Sequence, residues 1–366
     1  MRTTILTLIC CVLGTLSIYA QTGVHATDSR ITYVGRTWQE GTSVSFDWTA
    51  TYVRLRFTGT QLRMVCSDTG KDWFNVYVDG EMSAEPDQVI TVSGDTIVTL
   101  FSAKGKARTH TLTLFKRTEG EQGRFTLKEI LVQGDLLQAD SLKPRQIEFV
   151  GDSYTCGYGA ENSVRTDRFT PATETSAKSY ASIVARYFDA DYMLIAHSGM
   201  GIARNYNTKL PGWYMPDRYM QTFDEDSTAA TRWQVTRSDF RPDITVIFLG
   251  ANDFSVKMQP SFPAFREHYM QLLNEVKAYY GEEHPILCCT KKGQDYLFAY
   301  VQQVASECGL NNVHYCGLFE GLFHNDNRNL GADSHPNYEA HRKVAHVLIP
   351  YIATMTGWEL QNAKVE

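Results

Sequence analysis

The stretch Gln146-Ile147-Glu148-Phe149-Val150-Gly151-Asp152-Ser153-Tyr154 decides how the chain is read. Its first five residues have the largely apolar character of a strand covered on both faces, and the run breaks at a glycine followed by a short polar turn. Further strands of this kind are expected at residues 192–196, 244–249, 285–289 and 313–316, with helices over 180–188, 262–280 and 295–308. Strand and helix in alternation predict an α/β doubly wound, flavodoxin-like sheet, in which ligands bind beyond the carboxyl ends of the strands. Ser153 then stands at the mouth of the first strand.

Upstream the pattern is different. Residues 31–133 alternate apolar and polar positions in short runs at 43–48, 53–57, 62–66, 73–78, 96–101, 109–115 and 125–132, and Asp79-Gly80 is a turn signal after one of them. Many short strands without a helical stripe predict an all-β jelly-roll sandwich. A polar joint near 140–144 separates the halves. The expected organisation is a leader over 1–20, a sandwich over 21–140 and an α/β domain over 141–366.

The leader is expected because Arg2 precedes an apolar run from Ile5 to Tyr19 that ends at small Ala20, the pattern of an exported protein cleaved near that residue. No second hydrophobic span follows, so the mature chain is expected to have no membrane span. Of 366 residues, 43% are hydrophobic and 21% charged, and the net charge is −6. That composition excludes fibrous and disordered classes, and the acidic balance argues against a nucleic-acid partner. Export permits disulfides; Cys308 and Cys316, which flank a helix end and the next strand, are the candidate pair. The cysteine spacings match no zinc motif, and no metal or organic cofactor is implied.

Three strand ends offer polar groups. Gly151-Asp152-Ser153 follows the first, His197-Ser198-Gly199-Met200-Gly201 the second, and Gly250-Ala251-Asn252-Asp253 the third. The absence of a glycine two residues past Ser153, where Thr155 stands, disfavours the nucleophile elbow of α/β-hydrolases. Downstream, Asp333-Ser334-His335-Pro336 precedes a helical apolar pattern, which puts His335 at a helix mouth with Pro336 suited to the first helical position. The positive helix end would keep that imidazole neutral. The segment 204–233 is long for a connection and rich in aromatics, among which Tyr206, Trp213, Tyr219 and Trp233 are candidates for a ligand-stacking wall.

Taken together, these blocks resemble the four ordered blocks of the SGNH (GDSL) hydrolase superfamily, and a sandwich joined to such a domain resembles carbohydrate esterase family 2. The resemblance implies Ser153 as nucleophile and His335 as base, with the Ser153 and Gly201 amides and the Asn252 side chain as oxyanion hole. The superfamily's acid usually stands three residues before the histidine, where this chain has Ala332. Asp333, two before, either reaches the imidazole as the third catalytic residue or leaves a Ser-His dyad oriented by a backbone carbonyl. The implied activity is removal of O-acetyl groups from an acetylated oligo- or polysaccharide, as in acetyl xylan esterases. An SGNH esterase or lipase for another acyl ester, and a non-catalytic glycan-binding protein, are the alternatives.

Overall fold

The computed structural model of the protein describes residues 21–207, 212–226, 228, 231–291, 295–361 and 365; the expected leader lies outside them. The N-terminal domain is antiparallel throughout, with β1 (Gln21–His25), β2 (Thr32–Val34), β3 (Trp38–Glu40), β4 (Ser43–Phe46), β5 (Tyr52–Asp68), β6 (Asp72–Val78), β7 (Gln88–Val92), β8 (Thr96–Ser102), β9 (Arg108–Lys116) and β10 (Phe125–Leu137). The central path runs β3-β4-β10-β5-β9-β6-β7, while β1 joins β10 and both β2 and β8 join β5.

Two of the expected strands, 53–57 and 62–66, are halves of the 17-residue β5. Its first half pairs with β9 and its second with β8, and along the way the buried positions change from odd to even numbers. Strand side chains alternate with period two, so this change of phase marks the backbone crossing from one face of the domain to the other. Thr58-Gly59-Thr60 therefore reads as a break in sequence while the backbone continues. The crossing is tight: a Cβ on Gly59 would lie 2.3 Å from the Gln133 carbonyl oxygen on β10.

The second domain has β11 (Gln146–Gly151), α1 (Ser153–Cys156), α2 (Tyr180–Tyr187), β12 (Asp191–Ala196), α3 (Met215–Tyr219), β13 (Ile244–Phe248), α4 (Phe262–Tyr280), β14 (Ile286–Lys291), α5 (Asp295–Glu307), β15 (Val313–Leu318) and α6 (Tyr338–Thr356). Its sheet is parallel in the order β12-β11-β13-β14-β15, the flavodoxin-like order expected. Every residue of β11, β12 and β13 is buried, which is why these strands read as apolar runs. Gly151 pairs with both Ala196 and Phe248, so the three central strands end level.

The domains share one apolar core, in which Val34, Trp48, Tyr52 and Phe115 of the sandwich pack with the α/β side chains. Polar groups fix the register of this contact. Tyr52 Oη donates to Asp191 at 2.7 Å, and Arg36, fully buried, lies 3.7 Å from Glu148 in the middle of β11. Burial pushes the Glu148 carboxyl up, while Arg36 and hydroxyl groups from Tyr219, Tyr280 and Thr245 favour its charge. Removing one partner of such a buried pair costs on the order of 3–5 kcal/mol, because the other charge is left without compensation.

The expected Cys308–Cys316 bridge does not form: Cys66, Cys156, Cys288, Cys289, Cys308 and Cys316 are all free thiols.

Candidate active site

Because β11, β12 and β13 end level, the loops that follow them meet above one edge of the sheet. Asp152 caps α1 by accepting from the Tyr154 N–H at 3.1 Å, and Ser153 opens that single turn. The Ser153 hydroxyl lies 3.0 Å from Nε2 of His335. Serine and histidine, 182 positions apart, are thus in hydrogen-bonding contact, the geometry a base needs to take a proton from a nucleophile.

The histidine is held by a closed turn. Leu330 and Pro336 form a β-bridge, and the Gly331 N–H donates to the His335 carbonyl at 2.8 Å. Pro336 is therefore in a bridge rather than at the first helical position, since α6 starts at Tyr338 behind its cap Asn337. The imidazole packs 4.2 Å from the Tyr158 ring, which itself stacks on Phe169 at 3.8 Å. Burial lowers the His335 pKa from its ordinary value, opposed by the backbone carbonyls of Asp333 and Ala332 and by the charges of Asp333 and Glu119. Burial, not a helix end, keeps this ring neutral.

Asp333 is close to His335 in sequence, but its carboxylate is aimed elsewhere. It accepts from the Phe169 N–H at 3.1 Å, from Arg168 at 3.0 Å and from Tyr158 Oη at 3.3 Å. Asp333 and Ser334 both have positive φ, 46° and 61°, and this left-handed turn points the Asp333 side chain toward Phe169. Nδ1 of His335 is buried without a hydrogen-bond partner, and the backbone carbonyls of Asp333 and Ala332 are the groups near enough to favour its protonated form.

On the opposite side, the loop 197–203 is fastened by side chains. Asn252 Nδ2 donates to the Met200 carbonyl at 2.9 Å and to Asp152 Oδ2 at 3.1 Å. Asp253 accepts from the Ile202 and Ala203 N–H groups at 2.8 and 2.7 Å. The Gly201 N–H donates to Asn205 Oδ1 at 3.1 Å, and a Cβ on Gly201 would lie 1.9 Å from the Arg204 carbonyl oxygen, so only glycine fits. Burial pushes both Asp152 and Asp253 up to about 7, against the backbone N–H groups that favour their charge.

The aromatic candidates separate. Tyr206 is 60% exposed and its N–H donates to the Gly199 carbonyl at 2.7 Å, which sets it on the rim of this loop. Trp213 is partly buried; its carbonyl accepts from Asn205 Nδ2 at 2.8 Å and its ring carries the Arg218 guanidinium at 4.2 Å. Tyr219 is fully buried with its hydroxyl on Glu148, so it belongs to the domain core and not to a wall. Trp233 is likewise buried, with the Arg36 guanidinium 5.2 Å from its ring, and faces a cavity of about 530 Å³ shared with Trp38, Arg232 and Arg237. Tyr158, which does pack on the imidazole, and Phe169, stacked on Tyr158, follow the serine without any spacing that marks them.

Among the described residues, two clusters have donors close enough to hold a cation, and neither suits one. In the cluster of His197, Asp224 and Glu225, the Arg218 guanidinium already occupies the cationic position, 2.8 Å from Asp224 and 3.0 Å from Glu225. Burial alone would lower the His197 pKa, but Asp224 and Glu119 outweigh it and hold the ring up to about 9. The other cluster, Glu119, Cys156 and Glu174, keeps its thiol protonated because burial and the two glutamates push the Cys156 pKa well up.

A serine–histidine pair at level strand ends, with a fastened loop and an asparagine amide beside it, defines a GDSL-like hydrolase site. The GDSL-like lipase/acylhydrolase family matches residues 149–343, and the carbohydrate esterase 2 N-terminal family matches residues 33–139. The chain belongs to carbohydrate esterase family 2. It resembles the solved family two carbohydrate esterase from Clostridium thermocellum, in complex with cellohexaose, with 31% identity and a TM-score of 0.78 over 90% of this chain and 100% of that one. It is 32% identical over 85% of its length to a cellulase/esterase of Acetivibrio thermocellus, of which it spans 38%. An acetylxylan esterase / glucomannan deacetylase of Cellvibrio japonicus is 26% identical, over 92% of this chain and 91% of that protein.

Proposed function

We propose that the chain is an exported serine esterase that removes O-acetyl groups from plant polysaccharides through an acetyl-serine intermediate. The observation that carries this reading is the 3.0 Å contact of His335 Nε2 with Ser153 Oγ beside the Asn252 amide. The names of the relatives supply the substrate class.

His335 takes the proton as Ser153 Oγ attacks the acetyl carbonyl, and the oxygen that gains charge is met by the Ser153 and Gly201 amides and Asn252. Both latter groups are engaged internally, so the oxyanion competes with Asn205 for the Gly201 N–H and with Asp152 for an Asn252 hydrogen. The imidazolium then gives its proton to the departing sugar hydroxyl. Water, deprotonated by the same ring, attacks the acetyl ester and releases acetate and free Ser153. Ser153 and His335 act as a dyad in this scheme, with the Asp333 carboxylate holding the turn that carries the histidine. In this reading Tyr206 and Trp213 are the aromatic groups that meet a sugar ring, supported by the exposure of Tyr206 on the loop rim.

Acetate release from acetylated xylan and glucomannan tests the reading, with Ser153→Ala as control and a series of aryl esters of increasing chain length beside them. Acetate from polysaccharide by the wild type alone is the expected result. A preference for long acyl chains, with no acetate from either polysaccharide, would overturn the substrate assignment.

A further inference from the structure

Glu119 comes from the sandwich, in the turn between β9 and β10, yet its carboxylate ends beneath the loop 197–203. Its Oε2 accepts from the Ser198 N–H at 2.5 Å and from Cys156 Sγ at 3.4 Å, and the residue is fully buried. Glu174 of the α/β domain lies against it, its own Oε2 accepting from the Glu119 N–H at 3.4 Å. Oε1 of Glu119 and Oε1 of Glu174 are both buried without a donor from any other group. Burial and the neighbouring Glu119 push the Glu174 pKa well upward, so the Glu174 carboxyl favours its protonated form against Glu119. Glu119 is the acceptor for the Ser198 N–H.

The turn that delivers Glu119 is itself anchored. Lys116 donates to Asp72 at 2.7 Å and to the carbonyls of Thr118 and Glu119 at 2.8 and 3.1 Å, while Arg117 reaches across to the Glu174 carbonyl at 3.2 Å and to Glu161 at 2.7 Å. A Cβ on Gly120 would lie 2.6 Å from Asp224, so the turn sits hard against the α/β domain. Of the side chains that hydrogen-bond to the backbone of the loop 197–203, Asn205, Asn252 and Asp253 belong to the hydrolase domain and Glu119 to the sandwich, whose Glu121 also lies 3.9 Å from the His197 ring.

We propose that Glu119 is a positioning residue, through which the N-terminal sandwich holds the oxyanion loop of the neighbouring domain by its Ser198 N–H. The inference rests on the Ser153–His335 reading above and deepens it: the sandwich is part of the machinery that shapes the transition-state site. Positioning groups act on turnover more than on ground-state binding.

Hydrolysis of 4-nitrophenyl acetate by the full chain is the test, because it needs the loop and no carbohydrate. Glu119→Ala is expected to lower kcat by about 10- to 100-fold with KM within about twofold of wild type, the signature of lost transition-state contacts. Glu119→Gln should recover kcat to within about threefold, since its amide oxygen can accept from Ser198 while its NH₂ donates to Glu174. Should Glu119→Ala fail to fold, Glu119→Asp, one methylene short of Ser198, carries the comparison and should lose about tenfold in kcat. Turnover unchanged in the folded short variant, a loss confined to KM, or a Gln variant as slow as the short one would each overturn the proposal. Aryl acetate hydrolysis without polysaccharide deacetylation would instead overturn the substrate reading and leave Glu119 in its role.

Discussion

The two sides of the candidate active site are built on different terms. On the serine side, the loop 197–203 is tied down by buried and half-buried side chains from three places in the chain, each accepting from or donating to its backbone. On the histidine side, the ring is placed by a strained turn and by aromatic packing, and the nearest carboxylate looks toward solvent-accessible Arg168. The difference follows from what each side must do. Donors that meet a developing charge act through fixed direction, whereas a base needs reach, a suitable pKa and one ring face packed.

The largest effect expected from this contrast is at Asn252. Asn252→Ala removes a donor and releases the Met200 carbonyl, so kcat on 4-nitrophenyl acetate should fall by about 100- to 1000-fold. A loss under about fivefold would show that the serine side tolerates looseness and would erase the contrast.

Asp333 should matter far less. Removing a carboxylate that holds an imidazole costs on the order of 10⁴ in turnover, but this one holds Phe169 N–H and Arg168, so Asp333→Asn is expected to cost less than about tenfold. A loss near the larger figure would mean that the side chain swings onto Nδ1 during catalysis. The pH profile sharpens the same point. Burial lowers the His335 pKa, so the ring stays neutral and basic to a pH below its ordinary value of 6.5 and is lost as base only as pH falls further. The acid limb of kcat/KM for acetate release should therefore have its midpoint below 6.5, and a midpoint above that value would contradict the burial argument.

The smallest effects lie among the aromatics. Tyr206→Ala should raise KM for acetylated oligosaccharide by roughly 2- to 10-fold, the worth of one stacked ring, with kcat retained. Tyr219→Phe should leave KM unchanged and lower stability by about 1–3 kcal/mol in a denaturant titration, because it strips a hydrogen bond from buried Glu148. If the two exchanged behaviour, the division between rim and core would be wrong.

What could be read from the sequence divides along similar lines. The parallel strands were legible because burial on both faces leaves apolar runs, and α4 falls at residues 262–280 as its periodicity required. The serine and the asparagine stood out because each follows a strand end, and the histidine because it precedes a helical pattern. The single strand β5 was not, since a change of burial phase around Thr58-Gly59-Thr60 looks like a turn when only the alternation is visible. Nor was the orientation of Asp333: positive φ at two consecutive non-glycine residues leaves no compositional trace in Ala332-Asp333-Ser334. The aromatic density of 204–233 was visible, but Tyr219 and Trp233 serve the core because Arg36 and Glu148, distant in sequence, arrive beneath them. Glu119 carried no signal at all, as its partner Ser198 sits 79 positions away on the other domain.

The thiols bear on how the molecule can be made. No cystine staples either domain among the described residues, and Cys66, Cys156, Cys288, Cys289 and Cys316 are shielded within the packed interior. Assembly of the two halves thus asks nothing of an oxidant or an isomerase, and a reducing milieu suits biosynthesis of this chain as well as an oxidising one.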